Sequence, residues 1–321
     1  MQISAVAVGG VCTDFLVNLE EFPQMHKRNK VLATSWQFGG KVASGIAALG
    51  RQGVPCGIVT NVGGDPDGKA QIKDFNFNGV DTSHVVVDPA YETALTIAIS
   101  EVTTNTRTFL GVPRNTRRMK IEDLNKEYIQ SAKVLLISGG DEVSKTAAQW
   151  MHEAGGQVII DADGYNELTD AITPMCDVFI PSEFYYKTLF GEDKDPLECC
   201  KLLAERGPHT VIITLGEKGC VGVYKGGTFS LPAFDITPRD TTGAGDVFHG
   251  AYIYGMLKGW DAPECARWAS ATSAIKCVGM GGRAALPTEE MVQKFIATGE
   301  IDWDTINARH DYYRKIPYVE Y

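Results

Sequence analysis

The sequence lacks the patterns that mark several large classes of protein. Its eight cysteines include no CxxC pair, its six histidines form no HxH or HExxH spacing, and no GxSxG segment is present. The sequence therefore contains no motif that supports a disulfide framework, a zinc hydrolase or a serine hydrolase. No apolar run approaches the roughly 20 residues of a spanning helix, and the apolar start has no basic flank of a signal peptide. We expect a soluble, cytoplasmic protein with buried free thiols and no membrane partner.

Positive charge is also scarce. The chain has 30 Lys and Arg against 40 Asp and Glu, which gives a formal net charge of −10. A surface that neutralises a phosphate backbone needs the opposite balance, so nucleic acid is not an expected partner. One basic run, residues 114–120, has two possible interpretations: a site for a small anionic ligand or a solvated turn.

The remaining pattern is that of an α/β protein. The 321 residues, 44% of them hydrophobic, can bury one large core with an appendage. The opening run ISAVAVG is typical of a strand buried on both faces, and strands and helices alternate up to residue 214. This alternation predicts an open, mostly parallel sheet with helices on both faces. Three further helices are predicted over 244–257, 263–278 and 288–296, and the tail 299–321 is expected only to wrap the surface.

Two consecutive strands, TALTIAIS and TRTFLG, have no helix between them. They predict an antiparallel hairpin that turns at 103–105 and joins the alternating strands of residues 15–37 in a separate small sheet. Such a sheet would be two-sided and partly exposed, so we expect it to cover a ligand or a second subunit.

The segment DTTGAGDVFHG, residues 240–250, has the densest chemistry. Its Gly-Ala-Gly turn opens an apolar helix, where unpaired N–H groups and the helix dipole attract an anion. Asp246 in the first turn could simply complement the dipole, but the glycine context favours close approach of a phosphate. Two other phosphate motifs are only approximated: the Walker-like run 63–70 ends in alanine, and GAGDVF lacks the third glycine of the dinucleotide fingerprint.

Two segments resemble the signatures of the PfkB, or ribokinase-like, carbohydrate kinases: DTTGAGDVFHGAY near the C-terminus and FGGKVASGIAALGRQG near the N-terminus. The resemblance extends from residue 3 to about 298. It implies a ribokinase-like kinase domain over 1–298, with a discontinuous β-lid from about 14–38 and 90–112, and a tail over 299–321. It also implies ATP-dependent phosphorylation of a hydroxyl of a sugar or sugar derivative, with Mg²⁺, in a homodimer joined through the lid.

The resemblance also implies roles for particular residues. Asp246 would be the general base, and the N–H groups of Gly243, Ala244 and Gly245 would form the anion hole for the transferred phosphoryl. The residues that match substrate positions are Asp14, Gly39, Gly40, Lys41, Ser44 and Arg107. The residues that match nucleotide positions are Thr214, Gly216, Lys218, Gly219 and Ser270. Asp240 and Thr242 fall where many members hold a monovalent cation such as K⁺.

The sequence departs from the family at three places. Ser44 replaces an Asn that reaches a sugar hydroxyl, and the NxxE motif for magnesium-bound water reads 182-SEFY-185. Glu183 is then a candidate for holding Mg²⁺, or simply an acidic residue at a helix start. The DPNxR pattern reads 161-DADGY-165 and lacks the arginine. The identity of the substrate is therefore not inherited from the family.

Two other functions stay open. A nucleoside kinase of the same fold is favoured by an aromatic lid, for which Phe15, Trp36 and Phe38 are candidates, whereas GGKxA and Arg107 favour a sugar, including one with an acidic group. A non-catalytic ATP- and sugar-binding sensor is favoured by the altered NxxE motif. The intact DTTGAGD segment argues against the sensor, because binding alone needs no base.

Overall fold

The computed structural model describes residues 3–101, 103 and 106–315. Within them the strands are β1 (Ala5–Val8), β2 (Cys12–Leu19), β3 (Val31–Gly39), β4 (Cys56–Gly63), β5 (Val80–Asp81), β6 (Val85–Asp88), β7 (Leu95–Glu101), β8 (Thr106–Val112), β9 (Val134–Ile137), β10 (Gln157–Ala162), β11 (Val178–Pro181), β12 (Thr210–Thr214), β13 (Cys220–Tyr224) and β14 (Gly227–Leu231). The helices are α1 (Lys41–Arg51), α2 (Pro66–Phe77), α3 (Lys126–Gln130), α4 (Glu142–Glu153), α5 (Glu167–Ile172), α6 (Glu183–Phe190), α7 (Pro196–Ala204), α8 (Ala244–Lys258), α9 (Ala262–Cys277), α10 (Glu289–Thr298) and α11 (Trp303–Lys315).

The main sheet is open and mostly parallel, as predicted. Its order is β14-β13-β12-β11-β10-β9-β1-β4-β5, and β6 also pairs with β4. The strands from β12 to β14 pair antiparallel at one edge, whereas β1 lies parallel to both β4 and β9 near the centre. The loops at the carboxyl ends of these central strands are the usual place for a ligand in such a sheet.

Helices cover both faces of the main sheet, because side chains along each central strand alternate between two cores. Ala5 and Ala7 of β1 pack in one core, together with apolar side chains of α1, α8 and α9. Val6 and Val8 pack in the other core, together with side chains of α4 and α7. The predicted fold class is confirmed.

A second sheet has four strands in the order β3-β2-β7-β8. The hairpin predicted for β7 and β8 is confirmed, with antiparallel pairing from Leu95 opposite Val112 to Glu101 opposite Thr106. Residues 104 and 105 of the turn predicted at 103–105 lie outside the described residues. The predicted pairing with the strands of residues 15–37 is also confirmed, since β2 pairs with both β3 and β7.

The expected surface wrap of the tail is wrong for most of its described part. Residues 303–315 form α11, whose Arg309 and Tyr313 side chains are buried. The helix shows no clear apolar periodicity, because its inward face carries polar side chains and tyrosines that form hydrogen bonds. The short helices α3, α5 and α6 were not predicted for a related reason: they are 5, 6 and 8 residues long, too short for a clear period.

Two smaller expectations have clear outcomes. All eight cysteines are free, and seven of them are buried while Cys12 is partly buried. Two arginines of the basic run 114–120 form internal ion pairs, since Arg114 lies 2.7 Å from Asp67 and Arg117 lies 2.7 Å from Asp123. No helix in the described part of the chain is long and apolar enough to span a membrane.

Candidate active site

Two glycines bring the first turns of α1 and α8 together. A Cβ atom at Gly250 of α8 would lie 1.9 Å from the carbonyl oxygen of Gly45 in α1, and one at Gly45 would lie 2.8 Å from the carbonyl oxygen of Asp246. The helices can approach this closely only where both lack side chains. The N-termini of both helices therefore lie side by side.

The turn that opens α8 is shaped by Gly243, which adopts a left-handed φ of 76° and precedes the helix without a side-chain cap. Gly245 is exposed, and a Cβ atom there would meet nothing within 4 Å. The N–H of Ala244 already donates to the carbonyl of Thr241 at 3.1 Å. Of the three predicted donors, the N–H of Gly245 thus has the freest access to an incoming anion.

Asp246 occupies the third position of α8 and is partly accessible. Burial and the nearby Asp161 carboxylate raise its pKa well above the usual range, whereas Lys41 and Arg107 act in the opposite direction. A carboxylate in such surroundings binds a proton more readily than one in water, which suits a general base.

His249 connects the first turn of α8 to the main sheet. Its ring nitrogens lie 2.7 Å from the carbonyl oxygen of Gly245 and 3.0 Å from that of Ile180, and Nδ1 lies 3.4 Å from Oδ2 of Asp161. The side chain is buried. The imidazole therefore packs and hydrogen-bonds beneath the turn of residues 243–245 and does not reach into the open site.

Asp14 lies on β2, not in a loop, and its side chain is 7% exposed. The carboxylate packs directly on the backbone of Gly39, where a Cβ atom would lie 2.2 Å from Oδ2. Burial raises the pKa of Asp14 to about 6, against the lowering influence of the Cys12 hydrogen bond and Arg283. Gly39 is thus required for Asp14 to sit where it does.

The start of α1 follows immediately. Gly40 has a φ of 98°, and a Cβ atom there would lie 2.6 Å from the carbonyl oxygen of Gly10. The Lys41 ammonium lies 3.6 Å from Oδ2 of Asp163, and both side chains remain accessible. Ser44 is buried and faces Gly282, so it contributes little surface to the site.

Arg107 connects the small sheet to the segment that precedes α8. From β8 its Nη1 donates to Oγ1 of Thr241 at 3.1 Å. The contact closes one side of a cavity of about 280 Å³, lined by Asn18, Ser100, Glu101, Thr106, Arg107, Thr237, Pro238, Arg239, Asp240 and Thr241. A guanidinium at this place can pair with an anionic group beside the first turn of α8.

The predicted nucleotide residues lie together around the turn that follows β12. Thr214 ends β12, and the turn that follows has positive φ angles at Gly216 (58°) and Gly219 (91°). Lys218 lies in that turn. Ser270 of α9 hydrogen-bonds Cys220, which lowers the pKa of that thiol against the effect of burial. Ser270 therefore lies next to the turn.

The magnesium candidates have unequal surroundings. The Glu183 carboxylate lies 2.7 Å from the Lys187 ammonium, with which a metal would have to compete. Among the described residues the buried Oδ2 of Asp161 on β10 has no hydrogen-bond partner, and Asp163, directly after that strand, is exposed. The described residues contain no cluster of three or more His, Cys, Asp or Glu that could hold a metal alone.

The position implied for a monovalent cation does not fit one. Asp240 accepts from the N–H groups of Thr242 (2.9 Å) and Gly281 (2.8 Å) through its carboxylate, and its carbonyl accepts from the Lys276 ammonium at 2.8 Å. Lys276 is fully buried. The Lys276 ammonium already supplies a positive charge next to Asp240. Of the oxygen atoms considered for the cation, the Thr242 hydroxyl has no hydrogen-bond partner among the described residues.

Comparison with known proteins shows the family to which the chain belongs. The family model described as "pfkB family carbohydrate kinase" matches residues 2–289. The chain belongs to the pfkB family of carbohydrate kinases. The resemblance stated from the two signature segments and the expectation of a carbohydrate kinase are both confirmed.

Relatives of this pfkB chain include sugar kinases and also a nucleoside kinase of Methanothermobacter thermautotrophicus, which is 24% identical over 309 residues, covering 91% of this chain and 95% of the relative. It is 24% identical over 307 residues to a ribokinase of Haemophilus influenzae, covering 92% of this chain and 99% of the relative. It is 27% identical over 317 residues to a 5-dehydro-2-deoxygluconokinase of Geobacillus kaustophilus, covering 91% and 92%. A crystal structure from E. coli, described as a ribokinase II in complex with ATP and Mg²⁺, superposes with a TM-score of 0.80 at 20% identity, covering 92% of this chain and 99% of that one.

Sequence reasoning missed three residues at the pfkB site. Asp161 influences Asp246, Lys276 supports the loop before α8, and Arg283 influences Asp14. Lys276 and Arg283 are charged side chains with no exposed surface, in segments that read as ordinary apolar helix and loop. For Lys276 the one available signal was its position within an apolar helical run, which is unusual for a charged residue.

Proposed function

We propose that the protein transfers the γ-phosphoryl group of ATP to a hydroxyl of a sugar or sugar derivative, with Asp246 as the general base. The observation that carries this proposal is the arrangement at the start of α8. A carboxylate with a raised pKa stands one residue after an open backbone N–H, in a helix turn with no side-chain cap. A base beside an anion site is what in-line phosphoryl transfer requires.

The residues divide the reaction among them. Asp14 accepts hydrogen bonds from the sugar, and Lys41 closes over it from the start of α1. Asp246 takes the proton of the attacking hydroxyl as the new O–P bond forms and the bond to ADP breaks. The N–H of Gly245, with Gly243 shaping the turn, faces the charge on the transferred group, and Arg107 adds a positive charge at its edge. A sugar with an acidic group would find its counterion in Arg107.

ATP is placed by the turn after β12. Thr214, Gly216, Lys218 and Gly219 offer backbone and ammonium donors to the phosphates, and Ser270 lies beside the position for the base. Bound magnesium would neutralise part of the negative charge on the phosphates. Asp161 and Asp163 are the carboxylates we assign to its water shell, because the contact of Asp163 with Lys41 is longer, at 3.6 Å, than the 2.7 Å contact of Glu183 with Lys187. Potassium has no role in this proposal, because Lys276 supplies the positive charge next to Asp240.

Two alternatives are weaker. Phe15 and Trp36 pair with ring centroids 4.7 Å apart, but they alternate with Asp14 and Gln37 and so face away from the substrate side of the small sheet. Phe38 is buried. These aromatics therefore do not line a nucleoside pocket. A sensor that binds ATP and sugar without turnover has no need for the proton acceptor at position 246.

The test is consumption of ATP across pentoses, hexoses, ketoses, sugar acids, amino sugars and nucleosides. We expect turnover on a sugar or sugar acid. Turnover only on nucleosides would support the nucleoside kinase instead. ATP binding with no turnover on any compound would support the sensor, and the 182–185 segment would then be the first place to examine.

The raised pKa of Asp14 gives a pH prediction. Because the carboxylate accepts hydrogen bonds best when ionised, sugar binding should weaken as the pH falls through about 6. At about pH 5 most Asp14 is protonated, and we expect the KM for sugar to rise about tenfold relative to neutral pH. Asp14→Asn should show a high KM that no longer depends on pH in this range. A wild-type KM that stays constant would contradict the assignment of Asp14.

We also propose that the small sheet joins two copies of the chain. One row of apolar side chains crosses all four strands on the face away from the substrate: Trp36, Phe15, Ile97 and Leu110 are neighbours in register. None of the four is buried, and Leu110 is 47% exposed. An apolar row of this extent on a sheet face favours burial against a twin.

Sedimentation at micromolar concentration tests the dimer. Leu110→Asp should yield a monomer, whereas Phe109→Asp, the adjacent and equally exposed position on the opposite face, should leave the dimer intact. A monomeric wild-type protein, or dissociation by both variants alike, would contradict this interface.

A further inference from the structure

Helix α11 lies beyond the residues that match the family model, yet it is tied into the interior. Arg309 and Tyr313 on its inner face are 4% and 1% exposed. Arg309 stacks over the ring of Phe77 at 5.1 Å, which contributes cation–π attraction. Burying an arginine costs desolvation free energy, so Arg309 depends on the polar contacts that this helix makes inside the protein.

Those contacts converge on Asp74 of α2, on Asn78 directly after α2, and on the segment after α9. Nη2 of Arg309 donates to Oδ1 of Asn78 and to the carbonyl of Arg283, each at 2.9 Å. The hydroxyl of Tyr313 donates to Oδ1 of Asp74 at 2.6 Å. The helix therefore fixes both the backbone of Arg283 and the carboxylate to which its side chain is bound.

Arg283 carries the connection to the substrate side. It has no exposed surface, its Nη1 donates to Oδ2 of Asp74 at 2.5 Å, and its Nη2 donates to the carbonyl of Gly39 at 2.9 Å. Gly39 is the residue on whose backbone the Asp14 carboxylate packs. The Arg283 charge also lowers the pKa of Asp14 against the effect of burial.

We propose that α11 and Arg283 form a brace that positions Gly39 and, through it, Asp14 for sugar binding. The brace consists of Tyr313 and Arg309 on α11, Asp74 on α2, Asn78 directly after α2, and Arg283. Arg283 is a positioning residue, because it acts through Gly39. The proposal rests on the proposed sugar-binding role of Asp14, and it makes the C-terminal helix part of substrate recognition although it lies outside the matched family residues.

The test compares Tyr313→Phe with Ile306→Val. Tyr313→Phe removes one hydroxyl from the brace, whereas Ile306→Val trims a buried apolar side chain of the same helix and leaves the brace intact. Tyr313→Phe should raise the KM for sugar about tenfold, which corresponds to loss of one hydrogen bond to a charged group, with little change in kcat or in the KM for ATP. Ile306→Val should leave all three parameters unchanged.

Hydrogen exchange provides a readout that needs no activity. The amides of residues 39–44 should exchange faster in Tyr313→Phe than in the wild type or in Ile306→Val. Arg283→Met should accelerate them further if it folds. Unchanged exchange of this segment and an unchanged KM in folded Tyr313→Phe would overturn the brace. A wild type that phosphorylates no sugar, with the exchange difference present, would overturn the proposed function and leave the brace standing.

Discussion

Asp246→Asn is expected to lower kcat by about 10²–10⁴-fold, because the amide cannot take the proton of the attacking hydroxyl. The KM for sugar and the affinity for ATP should stay near wild-type values, since Asp14 and the 214–219 turn are untouched. Steady-state kinetics with the active sugar, together with calorimetric titration of ATP, measures both quantities. Asp235→Asn, an exposed carboxylate outside the site, is the matched control and should behave as wild type.

The same variant should be more stable than the wild type. The folded protein raises the pKa of Asp246, so the ionised form is disfavoured by the fold at neutral pH, and a neutral amide removes that cost. We expect a higher midpoint of thermal unfolding at neutral pH and a smaller difference in acid, where the wild-type carboxyl is protonated. Loss of activity accompanied by loss of stability would indicate misfolding instead of a missing base.

Gly250→Ala is expected to lower both stability and kcat/KM by forcing apart the two helices that carry the site. The new Cβ atom would lie 1.9 Å from the carbonyl oxygen of Gly45, so α1 and α8 must move apart and carry Lys41 away from Asp246. Overpacking of this kind costs about 1–3 kcal/mol of unfolding free energy. Misplacement of reacting groups by about an ångström can lower kcat/KM about 100-fold.

Gly255→Ala separates the two effects. This position is on the same helix, but its added Cβ atom would meet Cys265 of α9, with the sulfur at 2.6 Å, and does not approach α1. We expect a comparable loss of stability, measured by urea unfolding, with kcat/KM within a few-fold of wild type. An equal loss of kcat/KM in both variants would mean that the approach of α1 and α8 does not position the site.

The sequence was sufficient to predict the architecture where apolar periodicity was strong. The continuous run at β1, the hairpin of β7 and β8 and the helices α8, α9 and α10 all appear at or near the predicted residues. Helix α2 begins at Pro66, ahead of its apolar residues Ala70 and Ile72, because Asp65 caps it by accepting from the Gly68 N–H. Caps of this kind extend a helix beyond the apolar residues that reveal it.

The candidate site was predictable only where glycine patterns and a resemblance marked it. Gly40 and Gly243 have a local reason, because each adopts a positive φ, whereas Gly39 and Gly250 are required by the close approach of Asp14 and of Gly45. The bonds of Arg283 to Asp74 and Gly39 join residues 209 and 244 positions apart. No local pattern encodes contacts at that separation, and a charged residue is ordinarily expected on the surface.

Product analysis after reaction with ATP labelled with ¹⁸O in its γ-phosphoryl group tests the central claim most directly. With the sugar that stimulates ATP consumption most strongly, mass spectrometry should show a phosphorylated sugar that carries the label on its non-bridging phosphoryl oxygens. Its bridging oxygen should be the unlabelled oxygen of the sugar hydroxyl, because that oxygen attacks phosphorus after Asp246 accepts its proton. Labelled inorganic phosphate with no phosphorylated sugar would show transfer to water and would contradict the account.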